Sequence, residues 1–132
     1  MKANKAFYFA YPNGFSDVKS NTEMIEVDFR KHEGHGICFR NNVDFLYCGE
    51  KKLYVSINTT TDITLKVEFK TEASGGCADT SQNLLLSTGE SEHIIDIPET
   101  FSAIREICFA ALRGDNEGLD TSEYCVSNFE IR

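Results

Sequence analysis

Lys66 and Glu68 stand at alternate positions of the run Ile63-Thr64-Leu65-Lys66-Val67-Glu68-Phe69-Lys70. Same-side residues of an extended strand lie roughly 6.5–7 Å apart, so an ammonium and a carboxylate at this spacing can meet successive hydroxyl groups along an extended ligand. Arg105 sits amid apolar neighbours, and its planar fork of donors suits a pair of vicinal oxygens. Tyr54, Tyr47 and Tyr124 add rings that can stack and hydroxyls that can hydrogen-bond. Tyr54 falls on the parity opposite Leu53, Val55 and Ile57, so it is expected to face outward, on the same surface as Lys66 and Glu68.

Other reactive groups point nowhere so definite. His32, His35 and Cys38 spell H-x-x-H-x-x-C, but a zinc site needs a fourth position and a supporting shell, and a solvated turn around Glu33-Gly34 is the expected setting. Asp115, Glu117 and Asp120 offer hard oxygens without the ordered spacing of a calcium loop. No metal site and no cofactor are therefore expected. Ser87, Ser91 and Ser102 lack the strand-turn-helix setting of a nucleophile, and no pair of acids is marked out for acid–base work, so the chain reads as a non-enzyme. Asn58-Thr59-Thr60 is a formal N-glycosylation acceptor.

The elements that must position these residues are strands. Ile63, Leu65, Val67 and Phe69 alternate with polar residues, as do Leu53, Val55 and Ile57 before them, and the linking Asn58-Thr59-Thr60-Thr61-Asp62 is turn chemistry. The expectation is a hairpin of 53–57 with 63–70. Further strands are expected at 6–11, 24–30, 36–40, 84–86, 93–97, 104–112 and 125–131, with polar connections at 71–83 and 113–123. Only 99–105 could form a helical turn, and Pro98 limits it. Residues 104–112 are apolar on both parities apart from Arg105 and Glu106, the mark of a central strand. Nine short strands predict an all-β, two-sheet antiparallel β-sandwich.

At 132 residues, with 41% hydrophobic and 26% charged residues, the chain 1–132 is expected to form one domain around one core. Thirteen basic against 21 acidic residues leave a net charge of −8, which disfavours nucleic acid and membrane surfaces as partners. Residues 1–15 show no long apolar core or cleavage site, so the chain is expected either to stay in the cell or to be a module of a longer secreted protein. Among the cysteines Cys38, Cys48, Cys77, Cys108 and Cys125, an odd number, Cys38 and Cys108 lie in apolar runs and read as small hydrophobes. A disulfide among the others stays open.

The order of the C-terminal half is distinctive: Ile94-Ile95-Asp96-Ile97-Pro98, then Ile104-Arg105-Glu106-Ile107-Cys108-Phe109, then Val126-Ser127-Asn128-Phe129-Glu130-Ile131. Over roughly residues 34–132 it resembles the non-catalytic carbohydrate-binding modules of the β-jelly-roll type, and within them family 29. That resemblance implies a jelly roll without a catalytic site that binds a β-linked polysaccharide or oligosaccharide of the plant cell wall, glucan or mannan. It also implies an extracellular setting, as one module of a larger multimodular protein. It matches Pro12-Asn13-Gly14-Phe15 to the family's first loop and carries Glu68 and Arg105 over as sugar hydrogen-bonders. Where the family has a tryptophan pair this chain has Ser16-Asp17-Val18, and it has no tryptophan at all, so ring stacking would fall to Tyr and Phe. A protein-interaction or assembly domain on the same scaffold is the alternative.

Overall fold

A computed structural model describes residues 2–3, 5–11, 14–17, 23–46, 52–71, 80–98 and 103–132. It contains ten strands and a single 3₁₀ turn among the described residues: β1 Lys5–Tyr11, β2 Gly14–Asp17, β3 Ile25–Asp28, β4 Gly34–Leu46, β5 Lys52–Thr59, β6 Ile63–Lys70, β7 Thr80–Leu86, β8 Gly89–Asp96, β9 Ala103–Leu112, the turn Arg113–Asp115, and β10 Thr121–Ile131. They form two antiparallel sheets, a six-stranded one in the order β2-β1-β4-β9-β6-β7 and a four-stranded one in the order β3-β10-β5-β8. The chain is an all-β sandwich, and β9 is a central strand between β4 and β6.

The period-two patterns place the core. Leu53, Val55 and Ile57 from one sheet and Ile63, Leu65, Val67 and Phe69 from the other are all buried in it. Phe39 joins the sheets, stacked on Phe129 at 4.4 Å between ring centroids and edge-on to Phe109 at 5.8 Å. Ring pairs of this kind add to the stabilisation from burial alone.

The expected hairpin of β5 with β6 does not form. β5 pairs with β10 and β8, β6 pairs with β7 and β9, and the link between them crosses from one sheet to the other. Its turn residues hold that crossing: Thr59 Oγ1 donates to the Thr61 carbonyl at 2.8 Å, Thr60 N–H donates to the Glu123 carbonyl at 2.9 Å, and Thr61 and Ser122 share a hydroxyl hydrogen bond of 2.7 Å. Asp62 Oδ1 accepts from the backbone N–H and hydroxyl of Thr88 at 2.8 and 3.0 Å, which holds its carboxyl below the usual range. Asn and Asp turn chemistry is equally at home in a hairpin and in an arch between sheets, so the local signal does not distinguish them.

Two further expectations change. Cys38 and Cys108 are not separate small hydrophobes but a disulfide joining β4 to β9. His35 is not in a solvated turn: it is 3% exposed, and its Nε2 accepts from the Asp28 N–H at 3.2 Å. Cys48, Cys77 and most of the expected loop 71–83 lie outside the described residues, and Cys125 is a buried free thiol whose pKa burial raises.

Candidate functional site

Strand alternation sends the second residue set of the six-stranded sheet away from the core. The register groups that outer face into rows running across the strands. Phe9 pairs with Gly36, Gly36 with Ala110, Ala110 with Lys66 and Lys66 with Asn83. Phe7 pairs with Cys38, Cys38 with Cys108, Cys108 with Glu68 and Glu68 with Ser81. Lys5 pairs with Arg40, Arg40 with Glu106 and Glu106 with Lys70. One side of the face is thus aromatic, carried by β1, and the other is charged, carried by β6. Three strand spacings of about 4.8 Å separate the two.

The middle of the face is closed by short side chains and by rings lying over them. Phe7 packs on the Cys38–Cys108 disulfide in a small cluster of its own, with Phe9 against it. Gly36 makes this possible, because a Cβ there would meet the Phe9 ring and stand 2.9 Å from the Phe109 carbonyl. Any larger residue would lift that ring off the sheet. Phe9 stays partly exposed and Tyr11, next on the same side of β1, is 61% exposed.

Glu106 is the buried charge of the face, 1% exposed. Arg40 Nε donates to its Oε1 at 3.0 Å and Lys70 Nζ lies 3.9 Å from its Oε2. The Arg40 guanidinium also stands 4.4 Å above the Phe7 ring centroid, a cation–π contact that ties the charged row to the aromatic strand. Lys66 reaches Asp115 Oδ2 at 3.3 Å. Glu68, half-buried, meets no ion-pair or hydrogen-bond partner among the described residues.

Of the residues singled out from sequence, this face brings together Lys66 and Glu68. Tyr54 is on the other sheet: it pairs with Ile94 and Glu130 on the outer side of the four-stranded sheet, with the Arg132 guanidinium 3.8 Å over its ring. It cannot share a surface with Glu68, because β5 and β6 are not neighbours. Tyr124 is fully buried and its hydroxyl donates to the Phe109 carbonyl at 3.1 Å, so it is a core residue and not a groove residue. Tyr47 lies outside the described residues. Arg105 is exposed at the start of β9, where the pairing with β4 shifts register between Arg40 and Phe45. With Ile104 and Glu106 both buried, the alternation breaks at this step, and the outer row passes to Glu106. Arg40, Glu106 and the Phe7/Phe9/Tyr11 stripe were missed. The alternation Lys5-Ala6-Phe7-Tyr8-Phe9-Ala10-Tyr11 held the signal for the stripe, masked because Tyr8 on the opposite side is aromatic too.

His32, His35 and Cys38 do not converge, since His35 points into the sandwich end while Cys38 is on the outer face. Asp115 of the acidic trio is engaged by Lys66, and Glu117 and Asp120 are exposed.

The fold is that of the β-jelly-roll carbohydrate-binding modules. A family 4 carbohydrate-binding module superposes with a TM-score of 0.62 at 11% identity, covering 97% of this chain and 94% of the other. A family 29 module gives 0.57 at 12% identity, over 99% and 83%. The family 61 module TmCBM61, in complex with β-1,4-galactotriose, gives 0.56 at 10% identity, over 99% and 90%. No family model matches the sequence, and no curated protein does.

Proposed function

We propose that this chain is a non-catalytic carbohydrate-binding module that holds a β-linked polysaccharide on the outer face of its six-stranded sheet. The observation that carries the reading is Glu68: a half-buried carboxylate with no ion-pair or hydrogen-bond partner among the described residues, on a face whose opposite side presents Phe9 and Tyr11. Aromatic rings stack on the C–H faces of pyranoses while a carboxylate and an ammonium bond their hydroxyls. That one similarly folded protein is in complex with β-1,4-galactotriose supports the class of ligand. Within that class we assign the plant cell-wall glucans and mannans, and an extracellular place as a module of a larger cell-wall-degrading protein.

A second reading, an interaction domain, has its own support in exposed apolar side chains on one edge strand of each sheet, Leu85 of β7 at 82% and Ile94 of β8 at 62%. Calorimetric titration with β-glucans, mannans, xylans and galactans separates the two. Glu68→Ala is expected to weaken polysaccharide binding by roughly ten- to a hundredfold, the effect of losing a hydrogen bond to a charged group. Tyr11→Ala should weaken it too, and Tyr54→Ala, on the far sheet, should leave it unchanged. If no glycan binds to the wild type, the interaction reading takes its place.

A further inference from the structure

We propose that the reduced chain holds a thiophilic divalent metal ion between Cys38, Cys108 and Glu106. Among the described residues these three alone bring metal-ligating atoms together, all within 4.8 Å of one another. Each comes from a different position of one rigid surface: Cys38 and Cys108 directly opposite on β4 and β9 with Cα atoms 4.1 Å apart, and Glu106 two residues before Cys108 on the same side of β9. Zinc–thiolate bonds of about 2.3 Å around a tetrahedral ion put two sulfurs about 3.8 Å apart, so the pair must open from bonding distance once the bridge is reduced, while the Glu106 carboxylate already stands beside both sulfurs.

The surroundings suit such an ion. The three groups are 2%, 0% and 1% exposed, so water competes poorly and the electrostatic attraction is little screened. Two thiolates and a carboxylate around a dication leave one negative charge. Arg40 and Lys70, which already contact Glu106, supply the balancing charge behind the ligands, as outer partners of metal sites commonly do. Two sulfurs and one oxygen select a soft or borderline ion such as Zn²⁺ or Cd²⁺ over Mg²⁺ or Ca²⁺.

The disulfide and the metal site are mutually exclusive. A reducing dithiol passes two electrons and two protons to the Cys38–Cys108 bond and becomes a disulfide itself; the two thiols formed then each lose a proton when they ligate the ion. Metal uptake is therefore gated by reduction.

The test uses the full chain carrying Cys48→Ser, Cys77→Ser and Cys125→Ala, so that only the pair remains. It is reduced without oxygen by a phosphine, which takes up the oxygen of one water as the two thiols form, and is then titrated with Cd²⁺. The expected result is one equivalent bound with thiolate-to-cadmium absorption. That signal should be absent in the oxidised protein and lost in Cys38→Ser and in Cys108→Ser. Glu106→Gln should bind at least about tenfold more weakly, with Glu106→Asp in between. Circular dichroism reports whether each form keeps its sheets. No thiolate absorption in a folded reduced chain, a signal that survives Cys38→Ser, equal affinity in folded Glu106→Gln, or a reduced chain that loses its sheets each overturns the proposal.

Discussion

Arg40 Nε and Glu106 Oε1 meet at 3.0 Å although 66 residues separate them in the chain, and the carboxylate they tie down is 1% exposed. A charge buried on the outer side of a sheet is held there only by such partners.

Removing one member strands the other. Glu106→Ala is expected to cost about 3 kcal/mol, because it leaves the Arg40 guanidinium partly buried without its acceptor. Replacing both together, Glu106→Leu with Arg40→Met, should recover most of the loss, since an apolar pair needs no compensation. Urea unfolding of the two variants checks this; equal losses in both would show that the ion pair is not the cause.

The Cys38–Cys108 bridge closes a loop with a sequence separation of 70. Restricting the unfolded chain over that length corresponds to roughly 4 kcal/mol in the chain-entropy model, and measured values run about 2–4 kcal/mol. Cys38→Ala with Cys108→Ala should lower the unfolding free energy by that amount while far-UV circular dichroism stays that of a β protein. An unchanged denaturation midpoint would count against the bridge.

Tyr124 is buried whole, and burial alone pushes its phenol far above the ordinary tyrosine range. The folded state therefore keeps a proton that the unfolded state gives up above about pH 10, so stability is lost as pH rises through that point. In an alkaline titration followed by tyrosinate absorbance, one tyrosine should ionise only as the chain unfolds. Tyr124→Phe should abolish that late step and cost about 1 kcal/mol for the lost bond to Phe109.

His35 behaves oppositely. Burial lowers its pKa, with the nearby His32 adding to the effect and Asp28 opposing it, so below about pH 6.5 the unfolded chain binds a proton that the folded one resists. Stability should fall as pH drops below that value, by at most about 1.4 kcal/mol per pH unit for this one group. Comparing pH-dependent melting of the wild type and His35→Phe isolates the contribution; identical slopes would sink the assignment.

Much of this architecture was written in local pattern. The run from Ile63 to Phe69 alternates cleanly, every apolar member of it is in the core, and Lys66 and Glu68 come out on the other side, because side-chain direction in a strand depends only on parity. The absence of helical periodicity and the density of turn residues likewise specified a two-sheet sandwich, and the apolar stretch around Ile107 a central strand.

Parity says which side of its own sheet a residue faces, and nothing about which sheet that is. For that reason Tyr54 and Glu68, on consecutive strands joined by a short link, point out of opposite faces of the molecule. The pairing of β4 with β9 is likewise a long-range fact: it alone makes Cys38 and Cys108 a disulfide, joins Arg40 to Glu106, and shifts register just where Arg105 stands. Tyr124 looked like a rim tyrosine because nothing near it in sequence announces the Phe109 carbonyl that satisfies its hydroxyl. The sequence by itself determined most of the strands, their alternation and the core residues of β5 and β6, which are short-range consequences of side-chain direction and burial. Sheet membership, register and the meeting of distant polar groups were decided only by the tertiary structure, because they depend on which strands lie side by side once a common core is closed.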